Sequence, residues 1–168
     1  MKKSLVLTGM MGVGKSTIGR LIAKRLKVKF IDVDKVIERR ERKSIKRIFD
    51  DNGETYFRKL EEKITLKILK NRKAIIALGG GAFMNNNIRE KVLTSCTSIW
   101  LKVNLDKLIK RYKKNDRRPL LARKKLDSEV KKIYRSRKKT YSLADFKINC
   151  DSMDKSEIVQ KILNSYEN

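Results

Sequence analysis

Short apolar runs alternate along the chain with longer stretches in which apolar residues recur every three or four positions. Ser4–Thr8, Val28–Asp32, Ala74–Leu78, Ser98–Val103 and Phe146–Asn149 read as strands, because brief aliphatic runs of this kind suit a sheet covered on both faces. Between them, Ile18, Leu21, Ile22 and Leu26 mark one helical face, Phe57, Leu60, Ile64 and Ile68 a second, and Ile158, Val159, Ile162 and Leu163 a third. Strand and helix in alternation predict an α/β fold, a three-layer sandwich with a parallel sheet between helices. No repeat, low-complexity tract or linker divides the chain, so residues 1–168 read as one domain.

Ligands of such folds gather at the carboxyl ends of the strands, so the residues just past each strand matter most. The first strand runs into Gly9-Met10-Met11-Gly12-Val13-Gly14-Lys15-Ser16, which fits G-x-x-x-x-G-K-[ST] between a strand and a helix. Glycines let that backbone turn its N–H groups onto a polyanion, and the helix end behind it adds a positive dipole. Gly12, Val13, Gly14, Lys15, Ser16 and Thr17 are therefore expected to hold a nucleoside triphosphate. Lys15 would reach its β/γ-phosphates and the Ser16 hydroxyl a bound Mg²⁺. After the second strand come Asp32 and Asp34, and after the third Gly79-Gly80-Gly81, where backbone donors can approach a ligand closely. By themselves Asp32 and Asp34 read more readily as a strand end followed by a helix cap; beside a phosphate loop, metal-holding or catalytic carboxylates are favoured.

Composition narrows the chemistry. The chain has no histidine, which removes imidazole acid–base catalysis, and only Cys96 and Cys150, which speaks against zinc and for a reducing compartment. The opening Met1–Leu7 imitates a signal peptide only briefly before the phosphate loop, and no apolar stretch reaches membrane-spanning length, so a cytoplasmic protein without a membrane partner is expected. Lys and Arg number 44 against 19 Asp and Glu, a formal charge of +25. The cations are scattered over nearly every polar helix face rather than gathered in one stripe. That reads as a solvated basic surface that draws in anionic substrates, and no specific nucleic-acid partner is expected. The segment around Asp116–Leu121 carries the only proline, Pro119, behind Arg117 and Arg118. It reads as a lid at about 114–126 that closes over the phosphates, with an ordinary helix connection as the alternative.

Taken in order, Gly9–Ser16, Asp32-Val33-Asp34, Phe57-Arg58-Lys59-Leu60-Glu61-Glu62, Leu78-Gly79-Gly80-Gly81-Ala82, Arg118-Pro119-Leu120-Leu121 and Arg137 with Tyr141 resemble the shikimate kinases over essentially the whole length. These are P-loop kinases of the nucleoside-monophosphate-kinase type. The resemblance implies a five-stranded sheet in order 2-3-1-4-5, a monomer, and MgATP-dependent phosphorylation of the 3-hydroxyl of shikimate, on the route to chorismate and the aromatic amino acids. It implies that Arg58 and Arg137 fork onto the substrate carboxylate, which suits planar guanidinium donors. Glu61 would orient Arg58, Asp34 would hold the reacting hydroxyl and take its proton, and Asp32 would help organise Mg²⁺. Gly79, Gly80 and Gly81 would offer backbone donors, Phe49 and Phe57 apolar walls of a substrate segment at about 34–61. Arg111 would lie near the adenine, and Arg118 would neutralise the transferring phosphoryl group with Lys15. Lys139 stands where the family commonly has proline, which leaves Arg135 as an alternative to Arg137. Gluconate or nucleotide kinases, and a basic RNA-binding ATPase, are the rival readings.

Overall fold

The computed structural model describes residues 3–70, 73–113 and 126–167. Its strands are β1 (Ser4–Thr8), β2 (Lys29–Asp32), β3 (Ala74–Ala77), β4 (Cys96–Lys102) and β5 (Phe146–Asn149). All pairings are parallel, in the order β2-β3-β1-β4-β5 expected from the resemblance. Helices α1 (Lys15–Leu26), α2 (Val33–Glu41), α3 (Ile45–Ile68), α4 (Asn86–Ser95), α5 (Leu105–Lys113), α6 (Leu126–Tyr141) and α7 (Lys155–Glu167) connect and cover them, with a 3-10 turn at Ala82–Met84.

Burial depends on position in the sheet. Every residue of β1 and β3 is buried, whereas edge strand β5 buries only Ile148. That edge is pinned by Asp145, whose carboxylate accepts from both the Ser98 amide (2.8 Å) and the Ser98 hydroxyl (2.7 Å). The α7 face Ile158, Val159, Ile162 and Leu163 is fully inside, but Leu21 of α1 is 40% exposed, at the rim of a face centred on Ile18 and Ile22. Val28 falls just outside β2: Lys27 ends α1 in a left-handed conformation, and the Val28 amide closes the turn onto Ala23 O. Helix α3 is bent at Gly53 (φ 78°) and packs against α2, which carries Asp34, and against α4.

Register then assembles the site. Leu7 is level with Ala77, Asp32 with Ala77, and Thr8 with Trp100, so β1, β2 and β3 release their chains side by side at one edge. The phosphate loop, the two aspartates and the three glycines all leave the sheet there.

Candidate active site

Gly14 caps α1 in the left-handed region (φ 103°) and gives it no side-chain cap. Helices α2, α3 and α4, by contrast, are capped by Asp32, Ser44 and Asn85. No cap side chain therefore covers the positive end of α1 at the loop, which is what an anion site at a helix end requires. The Lys15 ammonium turns back over the loop and donates to the carbonyls of Gly9 and Met10, each at 2.8 Å.

Two hollows flank this loop, and Gly14 and Thr17 line both. One, of about 680 Å³, is walled by Val13, Ile18, Val103, Arg111, Cys150 and Met153, a mostly apolar slot of a size for a nucleobase and its sugar. Arg111 reaches from α5 to the Gly12 carbonyl (3.3 Å) at its mouth. The other, of about 570 Å³, contains Lys15, Ser16, Asp32, Asp34, Glu38 and Gly80. Apolar and polar hollows thus meet at the phosphate loop.

The Ser16 hydroxyl donates to Asp32 Oδ2 at 2.6 Å, while Asp32 Oδ1 accepts from the Lys35 amide at 3.3 Å. Asp32 is thus the cap of α2 and, through its other oxygen, the partner of the loop serine. Asp34, in the first turn of α2, is half-buried. Burial pushes its carboxyl up to about 6, against the pull of Lys15 and with the negative charges of Asp32, Glu61 and Glu38 reinforcing the rise. A carboxylate that titrates near neutrality, set beside the cation of the phosphate loop, is suited to accept a proton.

Opposite Asp34, α3 brings Arg58 against Glu61 (2.7 Å) and Glu54 (3.2 Å). Glu61 is 2% exposed, and burial raises its carboxyl although Arg58 opposes the shift. The Arg58 guanidinium lies over the rings of Phe57 (5.2 Å) and Phe49 (6.0 Å), which pack together at 4.6 Å. Phe57 is core and Phe49 half-buried, so both serve packing and walling at once. The glycines fit between these charges. A Cβ on Gly79 would stand 2.6 Å from Asp34 and 2.7 Å from Glu61, and one on Gly81 2.6 Å from the Arg58 guanidinium. From α6, Arg137 donates to the Gly80 carbonyl at 3.2 Å, whereas Arg135 is exposed. Arg137, not its neighbour, is the arginine at the glycines.

The family model for shikimate kinase matches residues 11–167. The chain belongs to the shikimate kinase family. A shikimate kinase of Sulfurihydrogenibium sp. is 39% identical over 161 residues, 96% of each chain. The crystal structure of shikimate kinase from Bacteroides thetaiotaomicron superposes with a TM-score of 0.89 at 31% identity over the full length of both. The Acinetobacter baumannii shikimate kinase, solved in complex with shikimate, gives a TM-score of 0.93 at 27% identity over 99% of this chain and 94% of that one.

Family membership leaves the placement of each expected residue to the geometry. Gly12, Val13, Gly14, Lys15, Ser16 and Thr17 line the phosphate-loop hollows, with Asp32, Asp34 and Gly80 on the second and Arg111 on the first; next to Gly80, Gly79 fits against Asp34 and Glu61, Gly81 against Arg58, Arg137 reaches the Gly80 carbonyl, and Phe49 and Phe57 lie under the Arg58 guanidinium. Arg118 and Pro119 lie outside the described residues, as does the expected lid apart from Leu126, which opens α6 as a buried helical residue. Two groups escape the sequence reading. Glu38 accepts from the Ile45 amide (3.1 Å), tying α2 to the start of α3, and Tyr112 donates to the Met11 carbonyl (2.5 Å), tying α5 to the phosphate loop. Both look like ordinary helix residues in the sequence: Glu38 a surface charge, Tyr112 part of an apolar face. Only a contact that is distant along the chain distinguishes Tyr112.

Proposed function

We propose that the protein transfers the γ-phosphoryl group of ATP to the 3-hydroxyl of shikimate, releasing ADP and shikimate 3-phosphate on the route to chorismate and the aromatic amino acids. The observation that carries this reading is a phosphate loop and Asp34 on one hollow, with the Arg58–Glu61 pair joined to Asp34 across Gly79. ATP is the donor substrate, its base in the apolar slot beside Arg111 and its phosphates on the amides of Gly12 to Thr17. Arg58 and Arg137 fork onto the shikimate carboxylate, which sets the ring between Phe49, Phe57 and Gly79–Gly81. Asp34 holds the 3-hydroxyl. As that oxygen bonds to the γ-phosphorus and the bridging bond to ADP breaks, the hydroxyl proton passes to the Asp34 carboxylate. Lys15 moves from the loop carbonyls to the phosphates and offsets the charge that spreads over them; Arg118 is assigned the same task from the lid.

Ser16 and Asp32 suit Mg²⁺: a hydroxyl and a carboxylate, both hard oxygen donors, already in contact at 2.6 Å. Among the described residues no group of three or more His, Cys, Asp or Glu gathers to cage a metal. This fits an ion that arrives with the nucleotide and is held through one or two protein oxygens plus phosphates. When bound it would draw charge from the phosphate oxygens. We read residues 1–168 as one catalytic domain acting as a monomer in the cytoplasm. Both cysteines are free, as a reducing compartment requires, and no helix among the described residues is long and apolar enough to cross a membrane.

Arg58→Lys tests the substrate assignment. Lysine keeps a cation beside buried Glu61 but loses the planar fork, whereas alanine would leave that carboxylate unpaired and endanger the fold. The KM for shikimate is expected to rise by about 10–100-fold and that for ATP by less than about twofold. Equal losses for both substrates in steady-state kinetics would remove Arg58 from the acceptor site.

A further inference from the structure

We infer that Tyr141 is a positioning residue for the acceptor site: from the last turn of α6, its hydroxyl holds the Gly80 carbonyl and so fixes the direction of the Gly80–Gly81 peptide. The inference rests on the reading of Gly79–Gly81 and Arg137 as a shikimate-binding surface.

Tyr141 is 0% exposed, and its ring stacks on Trp100 at 5.9 Å with 27° between planes. Packing alone would be served as well by phenylalanine. The hydroxyl, however, lies 2.5 Å from the Gly80 oxygen, with Met10 Sδ at 3.9 Å and the Arg137 guanidinium as further partners. Burial raises the phenol above its ordinary range, so it stays a neutral donor. Arg137, one turn earlier on α6, donates to the same oxygen at 3.2 Å. A carbonyl has two lone pairs, and these two donors occupy them.

Peptide geometry carries the effect onward. Among the described residues no peptide is cis, and across a trans peptide the C=O and the next N–H point in opposite directions. With the Gly80 carbonyl drawn toward α6, the Gly81 amide is turned away from α6. A turn closed by the Ala82 amide on the Gly79 carbonyl (3.1 Å) encloses that peptide, but two adjacent glycines have no side chains to hold its plane, so an anchor from α6 adds to the turn. Tyr141 supplies it and, by sharing the acceptor, sets where the Arg137 guanidinium stands. The phosphate loop has its own tie, Tyr112 at the Met11 carbonyl, and meets the Tyr141 hydroxyl only through the Met10 sulfur, so the larger effect should fall on shikimate.

The test is Tyr141→Phe, which keeps the ring and leaves Gly80 O with Arg137 as a donor, so the protein is expected to fold with Tm lowered by only a few degrees. In steady-state kinetics the KM for shikimate should rise about five- to twentyfold while that for ATP moves less than about twofold. Trp100 is the single tryptophan, so its emission reports on this contact directly. Shikimate titrated into the wild type should give a saturable change, with half-saturation in the variant raised by the same factor as KM. A variant with wild-type KM for shikimate, whatever its Tm, would overturn the inference. So would Trp100 emission that ignores shikimate in wild-type protein that turns it over. Failure of the wild type to use shikimate at all is a separate result: it would overturn the acceptor assignment itself and this inference with it.

Discussion

Lys15→Met is expected to lower turnover by about a thousandfold or more while the fold survives. Lys15 is 8% exposed and spends its donors on the Gly9 and Met10 carbonyls, the same loop whose amides would meet the phosphates. Methionine matches its length and flexibility without the charge. Lys15 lines a polar hollow, where water can take the place of the ammonium, so circular dichroism and Tm should change little. What disappears is the cation that offsets charge on the transferring group. A second effect runs in the same direction. Lys15 is the one group that pulls the Asp34 carboxyl down, and without it Asp34 rises above its value near 6 and becomes less available as a base at neutral pH. Wild-type turnover in this variant would remove the phosphate loop from the mechanism.

Asp34→Asn is expected to cost about 10²–10⁴ in turnover and, at the same time, to stabilise the fold at pH 8. An amide cannot take the hydroxyl proton. Its effect on stability comes from burial: the folded protein binds the Asp34 proton more tightly (about 6) than the unfolded chain does (3.8). A group raised in this way lowers stability as pH climbs between those two values, and the loss persists above them. Asparagine is free of that loss. Two units correspond to about 2–3 kcal/mol, or about 4–10 °C in Tm for a chain of this size. The gain should be present at pH 8 and shrink below about pH 4, where Asp34 is protonated in both states. Thermal melts at the two pH values, in metal-free buffer, check it. A variant that is less stable at pH 8 would mean that Asp34 is held by favourable partners rather than strained by burial.

The two variants point to one physical arrangement, the half-buried Asp34 carboxyl set against the loop cation Lys15. How far this was legible in the sequence differs by element. Strands β1 and β3 declare themselves because their residues are buried on both faces and therefore apolar throughout. Edge strand β5 was legible with almost no buried residue, through its place after a helical run. Asp32 illustrates the limit of reading a residue by type: a helix cap and a site carboxylate appear as alternatives in a string of letters, but one carboxylate has two oxygens, and here one caps α2 while the other meets the loop serine. The bend at Gly53 and the 40% exposure of Leu21 depend on how α3 and α1 sit on their neighbours, which local periodicity does not carry. The hydroxyls of Tyr112 and Tyr141 act on carbonyls 101 and 61 residues away, so nothing local marks them. Arg137 was separated from Arg135 only by the resemblance, until α6 directed one to Gly80 and left the other in solvent.

The most direct measurement is ADP release from MgATP by the purified protein, with shikimate, gluconate or RNA added in turn and the product read by phosphorus and proton NMR. The account predicts release that depends on shikimate, with one shikimate 3-phosphate formed for each ADP. Release indifferent to shikimate but raised by gluconate or by RNA would contradict it, and in the RNA case would turn attention from the strand-end carboxylates to the charge of +25.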